Sequence, residues 1–170
     1  IHTRNFDEAD IVMFRGGADI NPKIYGQMPN RHTSYWSDER DNLEINFYHR
    51  AQEQKKLCIG NCRGAQLLTA LNGGKLIQHV SHPSEHMCTT FESTKYEMNS
   101  IHHQMCYPYN LPKEDYLLVS WTEQLSYTHL GENDKTVEFP LESLDSEGLF
   151  KEPEIIWYPK TRSLGIQGHF

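Results

Sequence analysis

The residues best suited to chemistry stand in Gly60-Asn61-Cys62-Arg63-Gly64, a G-x-C-x-G between the apolar run Leu57-Cys58-Ile59 and the helix-forming stretch Ala65 to Leu71. A nucleophile at such a strand-to-helix turn is held in strained backbone geometry, and the flanking glycines let strand and helix pack closely. Its side chain projects at the carboxyl end of the sheet, where open α/β sheets bind ligands. The N-terminus of the following helix favours thiolate, which predicts a lowered pKa for Cys62. The Arg63 backbone N–H is placed to donate to an oxyanion. The plainer reading is a small core cysteine among glycines. A second glycine pair, in Phe14-Arg15-Gly16-Gly17-Ala18-Asp19, also follows an apolar run. The Gly17 N–H would complete a two-donor oxyanion hole, although an ordinary turn fits the same residues.

A cysteine nucleophile needs an imidazole within reach and a third group to orient it. Ten histidines are present, so composition does not choose among them. His169 follows the alternating Leu164 and Ile166, at a strand end suited to a catalytic group; His102 and His103, in Asn99-Ser100-Ile101-His102-His103-Gln104, are rivals. His79, His82, His86 and Cys88 cluster in the chain and are residue types that zinc accepts. Their spacing fits no common zinc pattern. The preferred reading is a solvated, His-rich loop at the site rim, with no metal expected.

The scaffold for these groups has 170 residues, suited to a single domain spanning 1–170. Sixteen basic and 23 acidic residues give a formal charge of −7, which argues against a nucleic-acid surface. No apolar window approaches the ~18 residues of a membrane span. Ile1-His2-Thr3-Arg4 lacks the pattern of a signal peptide, and four irregularly spaced cysteines suggest a reducing, cytoplasmic compartment.

Asp10 to Phe14 reads as a buried parallel strand closed by Arg15-Gly16-Gly17. Ser37 to Asp41 opens a helix over residues 39–55, with Leu43, Phe47 and Ala51 on its inner face and Ile45 and Tyr48 beside them. Leu57 to Gly60 is a strand, and Ala65 to Leu71 a helix stopped by Asn72-Gly73-Gly74. His79 to Thr94 reads as loop, Tyr116 to Trp121 as strand, and the acidic Glu132 to Gly148 as surface loop. Glu154 to Tyr158 and Ser163 to Gln167 form a hairpin across Pro159 to Arg162. The order predicts an α/β fold with a parallel core and an antiparallel C-terminal ribbon.

Several segments together resemble the class I glutamine amidotransferase superfamily, in its γ-glutamyl hydrolase (peptidase C26) branch. Arg15-Gly16-Gly17-Ala18-Asp19-Ile20-Asn21-Pro22 with Tyr25-Gly26 is similar to G-G-x-D-x-x-P-x-x-Y-G, and Arg40-Asp41 with Glu44 to R-D-x-x-E. Gly60 to Leu68 resembles G-x-C-R-G-x-Q-L-L, Gly73 to His79 resembles G-G-x-L-x-Q-H, and Asn99 to Gln104 resembles N-S-x-H-H-Q. Gly165-Ile166-Gln167-Gly168-His169 resembles the start of G-x-Q-x-H-P-E.

The resemblance implies a flavodoxin-like three-layer sandwich around a central, mostly parallel sheet. It implies Cys62 as nucleophile, His169 as base and then acid, and the Gly17 and Arg63 amides as oxyanion hole. It implies Gln66, Ser100, His102 and His103 facing the glutamyl group, with no cofactor. The reaction would be amide hydrolysis of glutamine or a γ-glutamyl compound through a thioester, either free-standing or passing ammonia to a synthetase partner. Phe170 stands where the family has Pro, and the sequence stops before the expected Glu, so a third triad acid would lie beyond Phe170 or be absent. The family's first strand would likewise precede Ile1. Without that acid, a catalytically inactive relative acting as a binding or structural protein is the alternative. Asn61 replaces a usually apolar residue and would alter the elbow without removing the nucleophile.

Overall fold

The computed structural model describes residues 5–33 and 36–169. Ile1 and Phe170 lie outside them. The chain opens with strand β1 (Ile11–Phe14), helix α1 (Asp38–Glu53), strand β2 (Leu57–Asn61) and helix α2 (Arg63–Leu71). Short strands β3 (Lys75–Ile77) and β4 (His79–Val80) follow, then β5 (Glu85–Thr90), β6 (Lys95–Asn99), β7 (Met105–Tyr107), β8 (Leu117–Glu123) and β9 (His129–Leu130). Strands β10 (Lys151–Tyr158) and β11 (Ser163–Ile166) close the fold.

The main sheet has the order β1-β2-β11-β10-β8-β5-β6. β1, β2 and β11 form its parallel core. β10 returns antiparallel to β11 across the turn Pro159–Thr161, as the hairpin pattern predicts. The antiparallel part extends well past that ribbon, because β8, β5 and β6 continue it. Two smaller ribbons pair β3 with β7 and β4 with β9.

Both helices cover one face of the parallel core. Phe14, Gly60 and Gly165 stand side by side across β1, β2 and β11. The two glycines leave a trough, and the first turn of α2 lies in it. A Cβ on Gly60 would overlap the Gly64 carbonyl, and one on Gly64 would overlap the Phe14 carbonyl. Nearly every residue of α2 is consequently buried, and its Leu67 and Leu68 join Phe14, Cys58, Tyr48 and Ala51 in one core cluster. α2 ends at Asn72, and Gly73 takes a left-handed φ of 86°.

Helix α1 starts where the sequence indicates. The Ser37 side chain accepts the Arg40 N–H, and Asp38, Glu39 and Asp41 occupy the first turn, where the helix dipole favours acids. Its inner face is the expected one except at Leu43. Tyr48 and Ala51 are buried and Ile45 and Phe47 pack against the core, but Leu43 is 55% exposed and Asp41 is buried. Asp41 and Glu44 turn inward because the buried Arg63 meets them there.

Residues 79–94 correct a second expectation. They hold β4 and most of a β5–β6 hairpin rather than a solvated loop, because His86 and Cys88 alternate inward and find partners there. The acidic segment after Glu132 is irregular and largely exposed, as expected, but it anchors Phe139, which stacks on Phe150 at 3.9 Å between ring centroids. Among the described residues no helix is long and apolar enough to cross a membrane.

Gly60→Ala would drive its methyl into helix backbone that cannot move aside, whereas Gly165→Ala meets the Ala65 Cβ at 3.3 Å. Urea unfolding should show Gly60→Ala less stable by about 1–3 kcal/mol, with Gly165→Ala milder. Equal stability of the two variants would show that the trough does not constrain the elbow.

Candidate active site

Cys62 sits at the junction of β2 and α2 with φ 50° and ψ −112°, backbone that a non-glycine residue adopts only when its surroundings enforce it. The enforcement is the trough described above. The thiol is 7% exposed. Burial pushes its pKa up, the Arg63 N–H opposes that, and the nearby Asp19 carboxylate adds to it. The expected lowering by the helix N-terminus is therefore reversed, because desolvation of a thiolate outweighs one backbone amide and a half-charge dipole.

The two expected oxyanion donors are held by one ionic network. The Arg63 guanidinium is buried and bonds Asp41 and Glu44 of α1. The second oxygen of Asp41 accepts the Asn21 N–H at 2.9 Å. Glu44 also takes Arg40 Nε at 2.9 Å. Arg40 Nη2 in turn donates to the carbonyls of Arg15 (3.0 Å) and Gly16 (3.2 Å). Gly17 has φ 151°, and a Cβ there would overlap the Arg40 guanidinium. Gly17 and Arg63 are thus both fastened to α1. The sequence carried the signal as Arg40-Asp41 with Glu44, but its role depends on a contact with Arg63 that spacing does not reveal.

His169 lies on the other side of the same loop. A Cβ built on Gly16 would stand 3.4 Å from His169 Cε1 and 3.6 Å from Cys62 Cβ. Two asparagines aim the histidine: its N–H donates to Asn99 Oδ1 at 2.8 Å, and Asn61 Nδ2 donates to the Gly168 carbonyl. Asn61, the departure in the elbow motif, therefore ties β2 to the residue before His169. His169 Nε2 is buried with no hydrogen-bond partner among the described residues. A cleft of about 430 Å³ opens beside His169, lined by Met13, Phe14, Arg15, Gly16, Asn61 and His169, with Cys62, Gly17 and Arg63 outside its lining.

The residues expected at the glutamyl group separate. His103 is half-exposed, with Nε2 2.9 Å from Asp19 Oδ1. Asp19, absent from the expected site residues, thus links His103 to the surroundings of Cys62. His79 lies beside His103 and stacks on His32 at 3.7 Å. Burial, then its two histidine neighbours, lower its pKa. Gln66 is buried and donates to the Gln104 carbonyl at 3.1 Å. Ser100 is buried with its Oγ unpartnered among the described residues.

His102 points away from the cleft into a buried group with His82, His86, Glu152 and Glu154. Burial brings its pKa down to about 4, so it is neutral. Burial also disfavours charge on His82, but the two carboxylates beside it prevail and raise its pKa to about 9. Two sets of side chains here are close enough to hold a metal, His82–His102–Glu154 and His86–Cys88–Glu154.

The peptidase C26 family model matches residues 2–167. The chain belongs to that family, within the class I glutamine amidotransferase superfamily. It is 32% identical over 118 residues to the glutamine amidotransferase-like protein YvdE of Lactococcus lactis subsp. lactis, covering 56% of this chain and 50% of that protein. It is 36% identical over 90 residues to the glutamine amidotransferase-like protein RP404 of Rickettsia prowazekii, covering 53% and 32%. The chain thus spans half or less of the length of these two relatives. A glutamine amidotransferase from Thermotoga maritima has the same fold, with TM-score 0.58 and 13% identity over 99% of this chain and 59% of that one. The flavodoxin-like α/β class follows from these likenesses.

Two outcomes follow from the geometry. Arg63→Ala strands two inward-facing carboxylates and should cost about 3–5 kcal/mol in urea unfolding; a loss below 1 kcal/mol would show that the network does not support the elbow. Iodoacetamide labelling of Cys62 in His169→Ala should keep accelerating as pH rises through 9, because the thiol pKa lies above its ordinary 9.0. A rate already level at neutral pH would show that the helix N-terminus prevails after all.

Proposed function

We propose that this member of the C26 family hydrolyses the side-chain amide of glutamine or of a γ-glutamyl compound. The observation that carries the reading is the strained Cys62 elbow set against His169 across Gly16.

The resting nucleophile is a thiol, since burial raises its pKa. His169 takes the thiol proton as Sγ attacks the amide carbon. The carbonyl becomes an oxyanion held by the Gly17 and Arg63 amides. His169 then returns the proton to the departing nitrogen, the C–N bond breaks, and ammonia or an amine leaves a γ-glutamyl thioester. Water, deprotonated by His169, attacks that thioester and releases glutamate and the thiol. His103, held by Asp19, is the half-exposed polar group beside this centre and would meet the substrate's polar end. Gln66, Ser100 and His102 are buried, so His103 is the more accessible of the four expected substrate contacts.

The relatives' amidotransferase-like names support a second reading, in which ammonia passes to a synthetase partner rather than to solvent. All four cysteines are free and buried, which suits a reducing, cytoplasmic location.

In the full-length protein, Cys62→Ala should abolish amine release from γ-glutamyl amides and ammonia release from glutamine. His169→Ala should lower release about 10²–10⁴-fold. Intact mass should show a γ-glutamyl adduct that disappears with Cys62. Turnover surviving in Cys62→Ala would overturn the reading, and ammonia release that appears only with an added synthetase would select the second one.

A further inference from the structure

Glu154 stands on β10 at the same sheet edge as the Cys62 elbow, two strands across. Its carboxylate is fully buried, as is that of Glu152. Among the described residues their ion partners are histidines alone: His82 and His86 for Glu154, His82 and His129 for Glu152. Two buried carboxylates need two compensating positive charges.

The histidines are oriented as ligands rather than as ordinary partners. His102 Nδ1 lies 2.8 Å from the Gln104 carbonyl, which fixes the proton there and leaves Nε2 bare. His82 Nδ1 lies 3.2 Å from its hydrogen-bond partner Ser126 Oγ and 3.0 Å from Glu152 Oε2, which leaves its own Nε2 inward. A metal ion there would displace the proton that the two carboxylates otherwise favour on this imidazole. His82 Nε2, His102 Nε2 and Glu154 Oε2 are all buried and lack hydrogen bonds among the described residues. One donor atom from each of the three side chains falls within 4.8 Å of the others. His82 Nε2 and Glu154 Oε1 are 3.3 Å apart without a hydrogen bond between them. Two ligand atoms at ~2.0–2.1 Å from a tetrahedral zinc are separated by about that distance.

We propose that this cluster binds a divalent transition metal of the zinc type through His82 Nε2, His102 Nε2 and the Glu154 carboxylate. Imidazole and carboxylate donors suit such an ion, and one dication balances Glu152 and Glu154 together. Glu152 and the Gln104 carbonyl are the outer partners that hold the two imidazoles, as carboxylates and carbonyls do around zinc-bound histidines. His86, 3.1 Å from Glu154 Oε1, orients the carboxylate. The ion would join β10 to the segments before β5 and before β7, and so brace the wall that carries His103.

The test is made in full-length protein carrying Cys62→Ala, so that the thiol of the elbow cannot supply a ligand and the result is independent of turnover. After dialysis against a chelator, zinc or cobalt(II) is returned and the metal measured. One ion per chain is expected, with the visible absorption of tetrahedral cobalt(II). Glu154→Gln and His102→Gln, checked for fold by circular dichroism, should lose it. Glu152→Gln should weaken zinc affinity about 10–100-fold while leaving the stoichiometry at one. If His82 is instead an imidazolium bridging two glutamates, the folded parent protein takes up no cobalt at micromolar metal, and the proposal fails. It fails equally if folded Glu154→Gln binds metal as tightly as the parent.

Discussion

The buried guanidinium of Arg63 is the contact on which the site depends. It follows Cys62 directly, so its backbone belongs to the elbow while its side chain reaches Asp41 and Glu44 on a different helix. Through Glu44 and Arg40 the same charges reach the carbonyls of Arg15 and Gly16. Both candidate oxyanion amides are thereby referred to one rigid element. A buried ion network of this kind is a costly way to gain stability, since desolvation offsets much of the attraction. What it supplies is position, because each member is satisfied in only one arrangement of α1, the elbow and the glycine loop.

The backbone strain at Cys62 has the same logic. A φ of 50° is unfavourable for cysteine, and it persists because the glycine trough lets α2 descend onto the sheet until no other conformation fits. That close approach also buries the thiol and reverses the pKa shift that a helix N-terminus alone would cause. Strain and desolvation therefore share a cause. A buried neutral thiol is less readily oxidised than a thiolate, and it is compatible with a neighbouring imidazole acting as base in the proposed reaction.

A second charged cluster lies behind the first. The Arg63 network is balanced by guanidinium groups, whereas among the described residues the ion partners of Glu152 and Glu154 are imidazoles, whose charge is conditional. The two clusters flank the parallel core at the edge where Cys62 projects. One braces the glycine loop; the other underlies the segment of His102 and His103. The pair His103–Asp19 bridges the space between them.

Local spacing was enough to place the elbow, the start of α1 and the C-terminal hairpin, because each rests on contacts within a few residues: a glycine turn, a serine cap, an alternating strand. It did not choose His169 over His102 and His103. The ordered motifs from Arg15 to His169 were also sufficient for the family. Period alone gave most of the inner face of α1 but not its opening turns, where Leu43 is exposed and Asp41 is buried, since charge on an inner face is legible only from its partner. The choice belongs to Arg63, some twenty residues onward in the chain. The burial of His82 and His86 was not legible for the same reason. Their burial is tolerable only beside Glu152 and Glu154, and His86 meets Glu154 across 68 residues of sequence. Sequence determines what is governed by neighbours in the chain. The burial of charge is decided by tertiary structure alone, because its cost depends on which opposite charges the fold brings within a few ångströms.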